Sequence, residues 1–145
     1  MLSREDVSAH QGWILAEWCQ AIGGDEFTLS LIGSDPAPFC DEALLLLEPF
    51  AKGESEREAV YCRRERVRLW RLTAASLAVL RHLLPDGIFT YRMDGAGWIE
   101  NFAIYRHGQM LLGVVTHEES ACLYLTEAEW QRLGQLEICT HEPSV

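Results

Sequence analysis

A chain of 145 residues with 48% hydrophobic and 23% charged side chains can bury a core of its own, and is too apolar for wholesale disorder. A formal charge of −10 excludes the nonspecific nucleic-acid and anionic-membrane binding that a cationic surface drives, and would steer the protein toward a basic partner. No apolar run approaches the roughly 20 residues of a membrane-spanning helix, and the start MLSREDVSAHQGW lacks the pattern of a secretory leader, so a cytoplasmic location is expected.

Ser3 followed by Asp6 reads as the capped start of a first helix. Val7, Trp13 or Ile14, Trp18 and Ile22 recur near helical spacing, and Gly23-Gly24 stops it. Phe27, Leu29 and Leu31 then alternate with Thr28 and Ser30 as in a strand, which SDPAP breaks. The run EALLLLEPF at 42–50 fits a helix capped by Asp41 and fits a buried strand ending at Pro49 almost as well. KGESERE at 52–58 is the most polar stretch and reads as a surface loop or a helix entry. Residues 59–72 favour a strand with Val60, Cys62, Arg64, Arg66, Arg68 and Trp70 on one face. The alternative is a thin helical stripe of Val60, Val67, Trp70, Ala74 and Leu77. Thr73 caps a helix over 74–84, which Pro85 and Gly87 close.

From Ile88 the chain reads as a meander, with IFTYRM, WIENFAIYR, QMLLGVVTH and ACLYL separated by DGAG, His107-Gly108 and EES. Thr126 and Glu129 form a capping box for a short helix over 127–134, and LEICT suits a last edge strand. A two-residue loop at 107–108 puts Ile104 opposite Leu111, Phe102 opposite Gly113, Glu100 opposite Val115 and Trp98 opposite His117. A three-residue EES loop puts Val115 opposite Leu123. One face then carries Trp98, Phe102, Ile104, Leu111, Val115, Leu123 and Leu125, and calls for a cover of helices. The other carries Ile99, Asn101, Ala103, Tyr105, Met110, Leu112, Val114, Cys122 and Tyr124. That second face is too apolar for water. It is either covered within the chain or a binding surface, for which Tyr105, Met110, Leu112, Val114 and Tyr124 are the candidates.

The sharpest polar constellation is Glu100 with His117, diagonal across the open end of this hairpin. A carboxylate there can orient the imidazole as a general base, against the plainer reading of a polar rim. Cys139-Thr140-His141 with His117 and Cys122 has no familiar zinc spacing, so no metal and no cofactor are expected. The arginines at 63, 64, 66, 68 and 71 are offset by Glu54, Glu56, Glu58 and Glu65, which favours pairing within the chain over a phosphate patch. Five widely spaced cysteines without a C-x-x-C read as reduced thiols. Arginine supplies 11 of the 12 basic residues, with Lys52 the one lysine and Asn101 the one asparagine, the bias of a GC-rich bacterial genome.

These elements make a single α+β domain over 1–145: a mostly antiparallel sheet of about five or six strands, with an N-terminal helix, a middle helix and a short C-terminal one. In size, acidity and element order the chain partly resembles the bacterial type III secretion chaperones, which are small, acidic, dimeric α+β proteins. The short segment after Trp130 departs from their long final helix. The function expected is binding of another protein, as chaperone, adaptor or immunity-type inhibitor of a basic toxin, without catalysis. Two alternatives stand beside it: a small enzyme using His117 and Glu100, and a self-associating domain whose meander is a homodimer seam.

Overall fold

The computed structural model describes residues 2–3, 7–33, 41–60, 63–94 and 97–136. The strands are β1 (Leu2–Ser3), β2 (Glu26–Gly33), β3 (Ala51–Glu58), β4 (Arg64–Arg71), β5 (Arg92–Asp94), β6 (Gly97–Arg106), β7 (Gln109–Val115) and β8 (Ser120–Leu123). They form one sheet in the order β1-β8-β7-β6-β2-β4-β3, with β5 also paired to β6, and every pairing is antiparallel. Six strands span four residues or more, and β1 and β5 are short additions. The helices are α1 (Ala9–Ala21), α2 (Asp41–Leu47), α3 (Ala74–Leu83) and α4 (Glu127–Leu133). No helix among the described residues is long and apolar enough to cross a membrane.

All four helices cover one face of the sheet. Leu15 and Cys19 from α1, Ala43 and Leu47 from α2, Leu77 and Leu80 from α3, and Leu133 from α4 join a single core with Phe27, Trp70, Phe102 and Ile104. Phe27 stacks on Trp70 at 5.6 Å between ring centroids and tilts against Phe102 at 6.1 Å. The leucine run is settled by helical spacing: Ala43 and Leu47, one turn apart, are buried, while Leu45 between them is exposed.

Several expected boundaries move. Ser3 pairs with Ser120 in the sheet, so it does not cap the first helix. Ser8 does: its hydroxyl accepts from the Gln11 N–H, and the Gln11 side chain accepts from the Ser8 N–H. The segment expected as a loop or helix entry at 52–58 is β3. Glu54, Glu56 and Glu58 stand opposite Arg68, Arg66 and Arg64. Cross-strand charge pairing replaces the apolar alternation that would have announced a strand. IFTYRM opens as a tight 3-10 turn at Gly87–Phe89 and pairs only from Arg92. Gly87, at φ +82°, lets that turn approach α1, since a Cβ there would lie 2.8 Å from the Ala9 Cα. The segments Tyr61-Cys62 and LEICT fall wholly or largely outside the described residues.

Two bulges change the faces of the meander. The 107–108 loop is as expected, with φ of 51° at His107 and 77° at Gly108, and Arg106 faces Gln109. One step on, β7 carries an extra residue: Tyr105 faces Met110, but Ile104 faces Leu112 and Ala103 faces Gly113. On β6 the irregularity falls at Asn101, because Thr28 faces Ala103 while Ser30 faces Glu100. The EES loop is a 3-10 turn at Thr116–Glu118 closed by Glu119 in the left-handed region, so Val115 faces Ser120 and not Leu123. Leu112 and Val114 therefore enter the helix-covered core, whereas Tyr105 and Met110 stay on the opposite face with Val67, Leu69 and Ala103.

Candidate functional site

The opposite face, which no helix of the described residues covers, is not left flat. Just past the end of β3, Val60 lies over it against Gly113. A Cβ at Gly113 would sit 2.7 Å from Val60 Cγ2 and 2.5 Å from Met110 Sδ, so only glycine admits this approach. Between Ala59 and Val60 and the sheet lies a cleft of about 290 Å³, lined by Thr28, Ser30, Glu65, Val67, Tyr105 and Met110 among others. Four strands supply these side chains: Thr28 and Ser30 from β2, Glu65 and Val67 from β4, Ala103 and Tyr105 from β6, and Met110 from β7.

Tyr105 is the deepest polar group of the cleft. It is 1% exposed, yet its hydroxyl has no hydrogen-bond partner among the described residues. Burial, and after it the negative charge of Glu65, push the phenol up to about 12, so it stays neutral and able to donate. Thr28 is already engaged, since its hydroxyl donates to the Arg68 carbonyl at 2.6 Å. Beside the cleft, Glu26 faces Tyr105 across the strands and is 4% exposed. Burial opposes its ionisation, but hydrogen bonds from Lys52 Nζ (2.6 Å) and Arg57 Nη2 (3.1 Å) outweigh that cost and hold its carboxyl below the ordinary value.

The second constellation lies at the end of β6. Asn101 has φ 54° and is held there by reciprocal bonds: its N–H donates to Thr116 Oγ1, and its Oδ1 accepts from the Thr116 N–H, both at 2.9 Å. This brace draws the turn after β7 toward Glu100, and His117 Nε2 reaches Glu100 Oε2 at 2.9 Å. The two groups meet, though by another register from the expected one, because Glu100 faces Ser30 and not Val115. Glu100 is 5% exposed, while the His117 side chain is 72% exposed. The Oε2 atom lacks an aligned hydrogen bond despite the short distance. The Tyr91 ring completes the group, 5.9 Å from His117 and 6.3 Å from Trp98. Chemically this is a carboxylate able to orient an imidazole at an open rim.

Of the five candidate surface residues, Tyr105 and Met110 line the cleft. Leu112 is fully buried in the core, Val114 is buried there while also reaching the cleft lining, and Tyr124 is exposed beyond β8. Thr28, Ser30 and Glu65 escaped sequence reasoning. Alternation had put the first two on the polar side of β2, but nothing local revealed that β2 lies between β4 and β6. Among the described residues no three His, Cys, Asp or Glu side chains are placed to hold a metal ion, and Cys139 and His141 lie outside them. No family model, no curated protein and no solved structure matches the chain.

Proposed function

We propose that the chain is a small cytoplasmic bacterial module that binds another protein, as an adaptor, chaperone or immunity-type inhibitor. The observation that carries this reading is the cleft on the face opposite the described helices, where apolar walls meet Glu65 and the Tyr105 hydroxyl, neither of which has a hydrogen-bond or ion-pair partner among the described residues. The formal charge of −10 supports a basic partner. A second copy of the chain is the weaker choice, because Tyr105, Leu112 and Val114 of the supposed seam are already buried within one chain. The test is retrieval of partners from the native cell by the tagged protein and by two folded variants. Met110→Arg, which fills the cleft, abolishes retention of the partner, and Arg132→Ala on α4 preserves it. A partner set unchanged by Met110→Arg, or no reproducible partner, refutes the reading.

A second reading rests on the 2.9 Å approach of His117 to Glu100. There His117 is a general base for hydrolysis, oriented by the carboxylate. It requires turnover of some ester or phosphoester in a chromogenic panel, lost in both His117→Ala and Glu100→Gln. Turnover that survives either substitution removes it.

A further inference from the structure

We propose that the cleft receives one lysine or arginine side chain presented by the partner, with Glu65 and the Tyr105 hydroxyl holding its charged head. This rests on the protein-binding reading above and adds the chemistry of what is bound. A volume of about 290 Å³ suits a single long side chain and not a folded surface. The walls that would meet an aliphatic stem are Val67, Ala103 and Met110. At the polar end, Tyr105 is buried with its hydroxyl unpaired, and Glu65 has no ion pair among the described residues.

The surroundings discriminate among ligands. Glu26, the nearest buried carboxylate, is already neutralised by Lys52 and Arg57, so it offers nothing further to a cation. Glu118 at the rim already has an interaction of its own, which leaves Glu65 as the carboxylate for a cation. Arg63 is the cationic residue of the lining, and Arg57, opposite Glu65 in the β3–β4 pairing, is itself bound to Glu26. An acidic side chain would meet Glu65 and an acidic protein. A purely apolar one would strip water from the Tyr105 hydroxyl and leave it unpaired, which is costly. A long basic side chain satisfies the phenol, the carboxylate and the apolar walls together.

The experiment uses the full chain, ¹⁵N-labelled, titrated with capped peptides Gly-Ala-X-Ala-Gly in which X is lysine, arginine, norleucine or glutamate. The lysine or arginine peptide is expected to shift the Ala103 and Gly113 amides and to bind about fivefold tighter than the norleucine peptide, more weakly as salt is raised. Glu65→Gln on the exposed end of β4, which disturbs no core contact, is expected to remove that preference. Tyr105→Phe is expected to weaken basic peptides and leave the norleucine peptide unchanged. Equal binding of norleucine and basic peptides overturns the proposal, as do shifts confined to another part of the sheet. Cadaverine binding as tightly as the lysine peptide overturns the assignment to a partner's chain. Retention of the native partner that is lost in Met110→Arg but unchanged in Glu65→Gln overturns this proposal while leaving the protein-binding reading intact.

Discussion

Asn101 and Lys52 are single occurrences of residue types that the coding bias of this chain disfavours, and both sit where their chemistry is used. Asparagine tolerates the left-handed region better than other non-glycine residues, and Asn101 adds a side-chain oxygen that accepts from Thr116. Asn101→Ala should cost about 2–3 kcal/mol, from the left-handed penalty and the lost bond together, whereas Asn101→Gly should cost only about 1 kcal/mol. Chemical denaturation checks the order, and alanine as stable as glycine would show that the φ of 54° is not the source of the cost. Glu129 makes a comparable case with a pH signature. Hydrogen bonds from Arg106, and then from the Thr126 N–H, pull its carboxyl from the ordinary 4.5 to about 2. A depressed folded value means that the stabilisation is fully present above about pH 4.5 and is lost as pH falls toward 2. Glu129→Gln should therefore be less stable than the parent by about 1–2 kcal/mol at neutral pH, solvent contact reducing the full linkage value, with the gap closing in acid. A gap that stays constant down to pH 2 contradicts the pairing.

Elements were legible in proportion to the periodicity of their apolar residues. The helix over 74–83 and the hairpin at His107-Gly108 announce themselves because stripe, cap and turn chemistry agree, whereas the helix over 9–21 was legible from its apolar spacing and the Gly23-Gly24 stop but not from its cap at Ser8. β3 did not, because its order comes from arginines on another strand. The bulges at Asn101 and in β7 did not either, since one added residue reverses faces without altering composition. That reversal is why Leu112 and Val114 went to the core and why Glu100 joined the face of Tyr105. At the cleft, only the β6 and β7 contributions could be read, as β2 and β4 enter by long-range pairing. Gly113 is where two elements depend on each other. Alanine in a strand ordinarily gains slightly over glycine, but here its Cβ meets Met110 and Val60 inside contact distance. Gly113→Ala should cost about 1–2 kcal/mol in thermal or urea unfolding, and adding Met110→Ala should recover part of it. Strict additivity of the two changes would mean that Met110 and Val60 do not share the strain at Gly113 as described.

For the whole molecule, the division of labour is between two faces of one sheet. Among the described residues, four helices bury one side, and on the other Val60 lies over the sheet with a cleft left between. The meander face that looked like a seam is thereby used internally. Light scattering at micromolar concentration should give the 16.5 kDa monomer mass. A stable dimer would instead require an interface elsewhere on the sheet or helices.

The Glu26–Lys52–Arg57 cluster has a practical consequence. Lys52 bears the single side-chain amine of the entire chain, and that nitrogen is bound to Glu26. Acylating reagents attack a free amine, so Lys52, whose side chain is 37% exposed, should react whenever its ion pair with Glu26 opens. Mass-spectrometric labelling rates at this one atom thus become a clock for the opening of that ion pair, read without any engineered probe. Occupancy of the neighbouring cleft should slow the clock if binding fastens the hairpin down.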